Sequence, residues 1–389
     1  MTRGKGIRHK TKGISRDVIL WRPNQKSKIR NYKNMAHQIN GIQQMGVGVP
    51  NVLEGWEWYN KNFGMDVKVF DEAAVAKLML PHTGGQTRER RAIFALNMQG
   101  GGGFEIWQHT GKVPEMPKFE IQIGDLGVCI AKMKTTDIHK AYNTFSSKGL
   151  DLLTSVEKDP AGTEHFYMKD LYGNLWEFIQ ESSFFTSTKA VNGGVFGGVV
   201  GVKNIDESLP VYRDILGYDK VVYDKEDVFS DWGGVPGSGN RYRRMLLAQT
   251  SEGHGAFSPV FGKSQIELVQ VLDREPKGIF DGRIWGDPGY IQICYDIANM
   301  DDLREFVKSK GCPFTVDSTR AGDTFDMGEA AGSFAYIQAP EGTLIEFVET
   351  HKVPIVKKLG LVIDLHKRGM DKPLPRWLLK AFALKRVKM

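Results

Sequence analysis

The sequence predicts an α+β fold made of four β-α-β-β-β modules, and two kinds of repetition carry that prediction. A short apolar strand with one glutamate at its centre occurs four times: Phe104-Glu105-Ile106, Trp176-Glu177-Phe178, Ile266-Glu267-Leu268 and Ile345-Glu346-Phe347. Side chains of a strand alternate between faces, so the large neighbours bury on one side while the carboxylate points to the other. A charge placed there needs a cation, a hydrogen-bond donor or water. The halves of the chain also repeat. Tyr59-Asn60-Lys61-Asn62-Phe63-Gly64-Met65-Asp66 matches Tyr212-Arg213-Asp214-Ile215-Leu216-Gly217-Tyr218-Asp219 at an offset of 153. The offset is 162 from Glu105/Glu267 to Lys148-Gly149/Lys310-Gly311, and 169 at Gly173/Gly342 and Glu177/Glu346. Such drift is that of loop insertions. Long repeats at near-fixed spacing outrank local motifs as evidence of fold, and the chain reads as modules A-B-A′-B′.

Each element follows in order. In module A the first strand is expected over 42–49. A helix follows near 52–62, because Trp56, Tyr59 and Phe63 share one helical face, and Gly64 ends it as a C-cap. Strands near 67–70, 92–98 and 104–108 complete the unit. Residues 100–103, all glycine, read as the hairpin turn before the last strand; no helix follows them, which argues against a phosphate cradle. Module B uses a strand at 128–133, a helix at 137–148 and a last strand at 175–180, entered through Gly173-Asn174. Module A′ spans about 194–272 and B′ about 286–350. Residues 111–118 and 273–287 are rich in Pro, Gly and charge, as linkers are. In the tail, Leu374, Leu378 and Phe382 form an apolar stripe with Pro375 at its start, the pattern of a short helix. This basic helical tail, residues 351–389, is expected to dock on the body; its charge also permits binding to a membrane surface.

The 389 residues suffice for two ordinary domains, and 41% apolar with 25% charged residues is a globular composition. The net charge of +6 divides unevenly. Residues 1–34 hold eleven Lys/Arg against Asp17, and 350–389 hold eleven against Asp364 and Asp371. The body between them carries 30 basic and 43 acidic residues, a balance of −13 that argues against a nucleic-acid groove. Residues 1–34 read as a basic, disordered leader, with Met35 as a candidate translation start. Three cysteines, no long apolar span and no secretory pattern lead to the expectation of a cytoplasmic protein with no transmembrane segment.

These modules resemble the vicinal oxygen chelate superfamily, which includes glyoxalase I, methylmalonyl-CoA epimerase, extradiol dioxygenases and bleomycin-resistance proteins. The resemblance covers about 40–350. It rests on Tyr212-Arg213-Asp214-Ile215-Leu216-Gly217 at a helix end, and on Asp170-Leu171-Tyr172-Gly173-Asn174-Leu175-Trp176-Glu177 and Ala339-Pro340-Glu341-Gly342-Thr343-Leu344-Ile345-Glu346 at strand entries. It implies modules pairing into two open, cupped mixed sheets. Short linkers favour neighbour pairing, giving domains at 40–185 (A with B) and 190–350 (A′ with B′). Pairing A with B′ is the alternative.

In this family metal ligands come from a His or Gln of the first strand and a Glu of the last. The matching positions here are Gln44, Ile130, Gly197 and Gln292, with Glu105, Glu177, Glu267 and Glu346. No His stands at a first-strand position, so the two-His, one-carboxylate triad of a dioxygenase cannot form there. Neighbour pairing gives Gln44, Glu105 and Glu177 at one site and Glu267, Gln292 and Glu346 at the other. Pairing A with B′ collects Gln44, Glu105, Gln292 and Glu346 and leaves Ile130, Gly197, Glu177 and Glu267 without a complete set. Such a shell suits a divalent ion, Zn, Ni, Mn or Fe. The resemblance implies a lyase, isomerase or epimerase that moves a proton next to a carbonyl of a small oxygen-chelating substrate, with Glu346, Glu105 and Glu177 as catalytic candidates. A metal-free small-molecule binder of bleomycin-resistance type is the alternative.

Other charged residues bear on that choice. Arg88, Arg90 and Arg91 recur as Arg241, Arg243 and Arg244. Arginine forks bind carboxylate or phosphate, so Arg90 and Arg243 are candidates to hold an anionic substrate such as glutathione or a CoA ester. The bland reading is a solvated strand end. Lys132 and Lys134 share the face of Ile130 beside Glu177 and can neutralise it in place of a metal. His165 reads as a core or surface histidine. Four modules can complete two sites within one chain, so monomer and homodimer both remain.

Overall fold

The computed structural model describes residues 37–320, 331–356 and 361–389, with Met1 and the pair Phe325–Asp326. The expected leader, 1–34, and the candidate start at Met35 lie outside the described residues. The described residues from His37 onward belong to one compact unit.

Module A runs β1 (Gln38–Gly48), α1 (Val52–Phe63), β2 (Val67–Val75), β3 (Glu89–Leu96) and β4 (Gly103–His109). Asn51 caps α1 by accepting from the N–H groups of Leu53 and Glu54, and Gly64 ends it at φ 65°, where a side chain is disfavoured. Module B runs β5 (Gly127–Thr135), α2 (Ile138–Ser147), two short strands β6 (Asp151–Leu152) and β7 (Glu157–Lys158), then β8 (Glu164–Lys169) and β9 (Leu175–Gln180). Module A′ runs β10 (Val195–Gly201), α3 (Ile205–Pro210), β11 (Lys220–Asp227), β12 (Tyr242–Ala248), the single turn α4 (Ser258–Phe261) and β13 (Gln265–Val271). Module B′ runs β14 (Gly289–Ala298), α5 (Met300–Ser309), β15 (Val316–Asp317), β16 (Phe325–Asp326), β17 (Ala331–Gln338) and β18 (Leu344–Val356).

The modules form two mixed sheets, but not by joining neighbours. One sheet has the order β15-β17-β18-β14-β1-β4-β3-β2, which is B′ with A; the other has β11-β12-β13-β10-β5-β9-β8-β6, which is A′ with B. The expected pairing of A with B and of A′ with B′ is therefore corrected at the level of the sheets. Linker length does not forbid the crossing, because the segment between His109 and Gly127 can span roughly 50 Å when extended. The two linkers clasp each other instead: Lys112 reaches Asp287 at 2.7 Å and Arg274 reaches Asp125 at 2.7 Å. Neighbouring modules do meet through their helices. Tyr59 on α1 donates to Asp170 of module B at 2.6 Å, and Tyr212 donates to Glu341 of module B′. The strand-entry acids of the repeat are thus structural. Asp170 also accepts from the Trp176 indole and the Asn174 amide.

The glycine run before β4 is a turn, as expected, and also a junction. A Cβ on Gly101 would lie 2.8 Å from the backbone of Gly194, and one on Gly194 would lie 2.3 Å from the carbonyl of Gly102. Only glycine lets the two sheets meet backbone to backbone here.

The tail starts as sheet rather than helix. β18 continues to Val356 and pairs with β19 (Leu361–Asp364), and only then does α6 (Arg376–Lys380) form. Leu374, Leu378 and Leu379 bury against Phe94, Phe185, Val260 and Phe261. The end is tied down by the Val387 N–H on the Asp66 carbonyl at 2.8 Å and by Arg386 on the Asp66 carboxylate at 3.3 Å. Among the described residues no helix is long and apolar enough to cross a membrane.

Candidate functional site

The A–B′ sheet brings together four residues that are far apart in sequence. Gln44 lies on β1, Glu105 on β4, Gln292 on β14 and Glu346 on β18, in the four adjacent central strands. Register places them at one level: Gln44 stands opposite Cys294, and Cys294 beside Glu346. The Gln44 amide nitrogen lies 3.1 Å from Glu105 Oε2 and 3.4 Å from Glu346 Oε2. That of Gln292 lies 3.0 Å and 2.7 Å from the same two atoms. Two carboxylates thus face one centre across two amides.

The electrostatics follow from burial. With no cation between them, the pair resists double ionisation. Burial and the facing Glu105 push Glu346 up to about 8. Burial also raises Glu105, against the pull of Arg90. The orientation of Gln292 is fixed from behind: Trp285 Nε1 donates to its Oε1 at 2.7 Å and Tyr336 OH at 3.2 Å. An indole N–H can only donate, so the oxygen faces Trp285 and the NH₂ faces the carboxylates. In donor kind, two carboxylates and two amides fit a divalent ion. Ligation by the Gln292 oxygen requires its amide to turn and leaves Trp285 without that acceptor.

Above this floor lies a cavity of about 400 Å³. Its walls are mainly apolar: Phe70, Phe94, Trp107, Phe261, Trp285 and Phe334, with Phe382 contributed by the tail. Arg90 lines it too, but its guanidinium is held by Glu72 at 2.8 Å.

The B–A′ sheet places Glu177 and Glu267 in the matching positions, and there the space is filled. Lys132 sits between them, 2.7 Å from Glu177 and 2.6 Å from Glu267. Arg244 pairs with Glu267 and with Asp231, the latter at 2.6 Å. His165 bridges Glu177 at 2.8 Å and Asp231 at 3.3 Å, and Tyr223 OH donates to Glu267 at 2.9 Å. All of them, Tyr223 included, are at most 7% exposed. Burial opposes charge on Glu267 and Glu177, but Arg244 and Lys132 on the first and Lys132 and His165 on the second outweigh it and hold both low. Burial likewise opposes charge on His165, and its hydrogen bonds to Asp231 and Glu177 overcome it, to about 9. Gly197 has no room for a side chain, since a Cβ there would meet the Gln265 carbonyl at 1.8 Å. Lys134 takes no part; it donates to the Ser183 carbonyl at 2.8 Å.

No protein-family model matches the sequence, and no curated protein matches it. Solved structures do. Glyoxalase I from Zea mays, in a single-substitution mutant form, is similar at a TM-score of 0.51 and 14% identity, over 82% of this chain and 95% of that one. A Bacillus subtilis protein assigned provisionally as a dioxygenase gives a TM-score of 0.53 at 14% identity, over 90% of this chain and 98% of that one. The fold is that of the vicinal oxygen chelate superfamily. At such identity the likeness carries the fold alone, and chemistry must be argued from the cups themselves.

Within the vicinal oxygen chelate fold, the arginine repeat needs one correction. Arg90 does line the open cup. Arg243 does not line the other: it lies on the outer face, held by Asp224 at 2.9 Å and Asp206 at 3.0 Å. The strand register explains this. Arg91 pairs with Gln108 and Arg243 with Gln270, whereas Ala92 pairs with Trp107 and Arg244 with Val269. The local offset is 152, so Arg243 matches Arg91, and Arg244 matches Ala92 on the inner face. Sequence reading missed Trp285, Tyr336, Cys294, Asp231 and Phe382. Tyr336 left a signal as the repeat of Tyr167 at the offset of 169, and Cys294 as the repeat of Lys132 at the offset of 162.

Proposed function

We propose that the A–B′ cup is the active site of a glyoxalase-type lyase, isomerase or epimerase that moves a proton next to a carbonyl of a small substrate with neighbouring oxygens. One observation carries this reading: Glu105 and Glu346 converge on the floor of an apolar cavity, with Glu346 held up to about 8. A carboxyl that titrates near neutral pH can take a carbon-bound proton and return it to the neighbouring atom. Glu346 is the proton carrier, and Glu105 is the fixed negative group that raises its basicity. Gln44 and Gln292 would hold a divalent ion (Zn, Ni, Mn or Fe) together with the two glutamates, and when bound it would polarise the substrate oxygens. The aromatic walls keep water from the reacting atoms, and Phe382 adds apolar wall for the substrate. With Arg90 committed to Glu72 and Arg243 outside, the lining favours an uncharged aromatic or aliphatic body over glutathione or a CoA ester. Glu177 and Glu267, filled by Lys132 and Arg244, are assigned to stability and not to metal or catalysis. One chain supplies the whole cup, so a monomer suffices.

The test is metal content of protein purified without chelator, for wild type, Glu346→Gln and Glu177→Gln. The expected result is one ion lost on Glu346→Gln and kept on Glu177→Gln. A second reading, a metal-free binder, is favoured by the Trp285 lock on Gln292. Equal metal content in wild type and Glu346→Gln, with an apolar fluorescent probe bound unchanged in EDTA, selects it.

A further inference from the structure

The opposite face of the A–B′ sheet holds a second cluster that the cup does not use. On β18, Glu346, Val348 and Thr350 face the cup, while Glu349 and His351 point the other way. We propose that Glu349 and His351, with His366 from the segment after β19, form a second divalent-metal site, suited to Zn²⁺, that fastens the C-terminal segment to the sheet. One carboxylate oxygen and one nitrogen of each imidazole lie within 4.8 Å of one another. His351 Nε2 is 3.7 Å from Glu349 Oε2, and the two imidazole rings meet edge to face with centroids 4.3 Å apart. Two imidazoles and a carboxylate are a zinc-type donor set with a position left open.

A purely local role explains part of this cluster. Glu349 caps α5 by accepting the N–H groups of Asn299 at 2.7 Å and Met300 at 3.3 Å, and His351 Nε2 also meets Ser333 Oγ at 3.2 Å. Each Glu349 oxygen keeps a second lone pair. A helix cap does not account for the adjoining cavity of about 470 Å³. Asn40 and Asp296 line it at 2% and 3% exposure. Asn40 Nδ2 donates to Asp296 Oδ2 at 3.1 Å, and among the described residues Asp296 has no ion pair and Asn40 Oδ1 no hydrogen-bond partner. Of the three ligands only His366 lies beyond β18, so the ion would tie down the same segment whose Phe382 walls the cup.

The experiment is Zn²⁺ binding to chelator-stripped full-length protein, by equilibrium dialysis, for wild type, His366→Ala, His351→Ala and Glu346→Gln, with hydrogen exchange of residues 361–374 as a second readout. Changes behind a ligand already weaken metal binding tenfold to 100-fold, so loss of His366 should weaken binding at this second site by on the order of 100-fold. Support is an ion that survives Glu346→Gln, is lost in His366→Ala, and slows exchange of 361–374 in wild type and Glu346→Gln but not in His366→Ala. Because His366 is exposed, its variant will fold even where His351→Ala does not. Unchanged Zn²⁺ binding in His366→Ala overturns this second site, whatever Glu346→Gln does to the cup.

Discussion

The two cups are one sheet built twice, and a few matched positions separate a cavity from a plug. Cys294 beside Glu346 corresponds to Lys132 beside Glu177. Ala92 corresponds to Arg244, Phe70 to Tyr223 and Phe334 to His165. Gln44 and Gln292 correspond to Gly197 and Ile130. In the B–A′ cup three cations meet three carboxylates. In the A–B′ cup the amides of Gln44 and Gln292 lie between the two carboxylates, and a cavity opens above them. A buried carboxylate is therefore not a functional signature by itself. What marks the open cup is that, among the described residues, no cation of the chain forms an ion pair with its acids.

The largest expected effect comes from breaking the plug. Removing one partner of a buried network leaves the other charged and unpaired, at a cost of about 3–5 kcal/mol. Arg244→Met should lower stability in urea by that amount at pH 7. Glu346→Gln should not, and in metal-free protein it should stabilise as pH rises. The sign follows from linkage. Glu346, pushed up to about 8, keeps in the folded state a proton that the unfolded chain has already released, so it destabilises progressively from the ordinary carboxylate range up to about pH 8. Replacing it should gain about 1–3 kcal/mol at pH 8 and little at pH 4. The plug behaves oppositely. Glu267 and Glu177, held low, contribute stability that is lost as pH falls through their lowered values, and His165 contributes stability that is lost as pH rises through about 9. A Glu346→Gln variant no more stable than wild type at pH 8 would mean that the acids are not in electrostatic conflict.

A sharper test converts one cup into the other. Cys294→Lys places an ammonium where Lys132 stands in the plug, between Glu346 and Glu105. Metal binding at the cup should fall at least tenfold, on the order of 1.4 kcal/mol or more, while the melting temperature holds or rises. An unchanged ion content with normal folding would show that position 294 does not decide the state of the cup.

Much of this contrast was legible in the sequence. The four Glu strands and the half-chain repeat located the modules, and the family resemblance, under the alternative pairing of A with B′, implied Gln44, Glu105, Gln292 and Glu346 as one complete set. That Lys132 can neutralise Glu177 was also readable from strand alternation. Pairing was not, because it depends on which strand edges meet, and a linker of this length reaches either partner. Arg244 was hidden by a one-residue slip within an otherwise regular repeat, and such a slip sends every side chain of a strand to the other face. Trp285 and Phe382 come from segments outside the modules, the linker before β14 and the tail, where no repeat guides the eye.

The smallest expected effect tests whether the tail belongs to the cup. Phe382 lines the cavity, while Trp377 on the same segment is 68% exposed. If the tail sets the fit of an apolar substrate, Phe382→Ala should raise KM about tenfold, near 1.4 kcal/mol, with kcat little changed. Trp377→Ser should leave both constants alone. A fall in kcat at unchanged KM would instead assign Phe382 to excluding water around the glutamate pair. The two outcomes separate because wall contact is made in the ground state and the transition state alike, whereas shielding of a proton in transfer acts on the transition state alone. The B–A′ cup supplies the control: filled by its own side chains, it has no wall to lose.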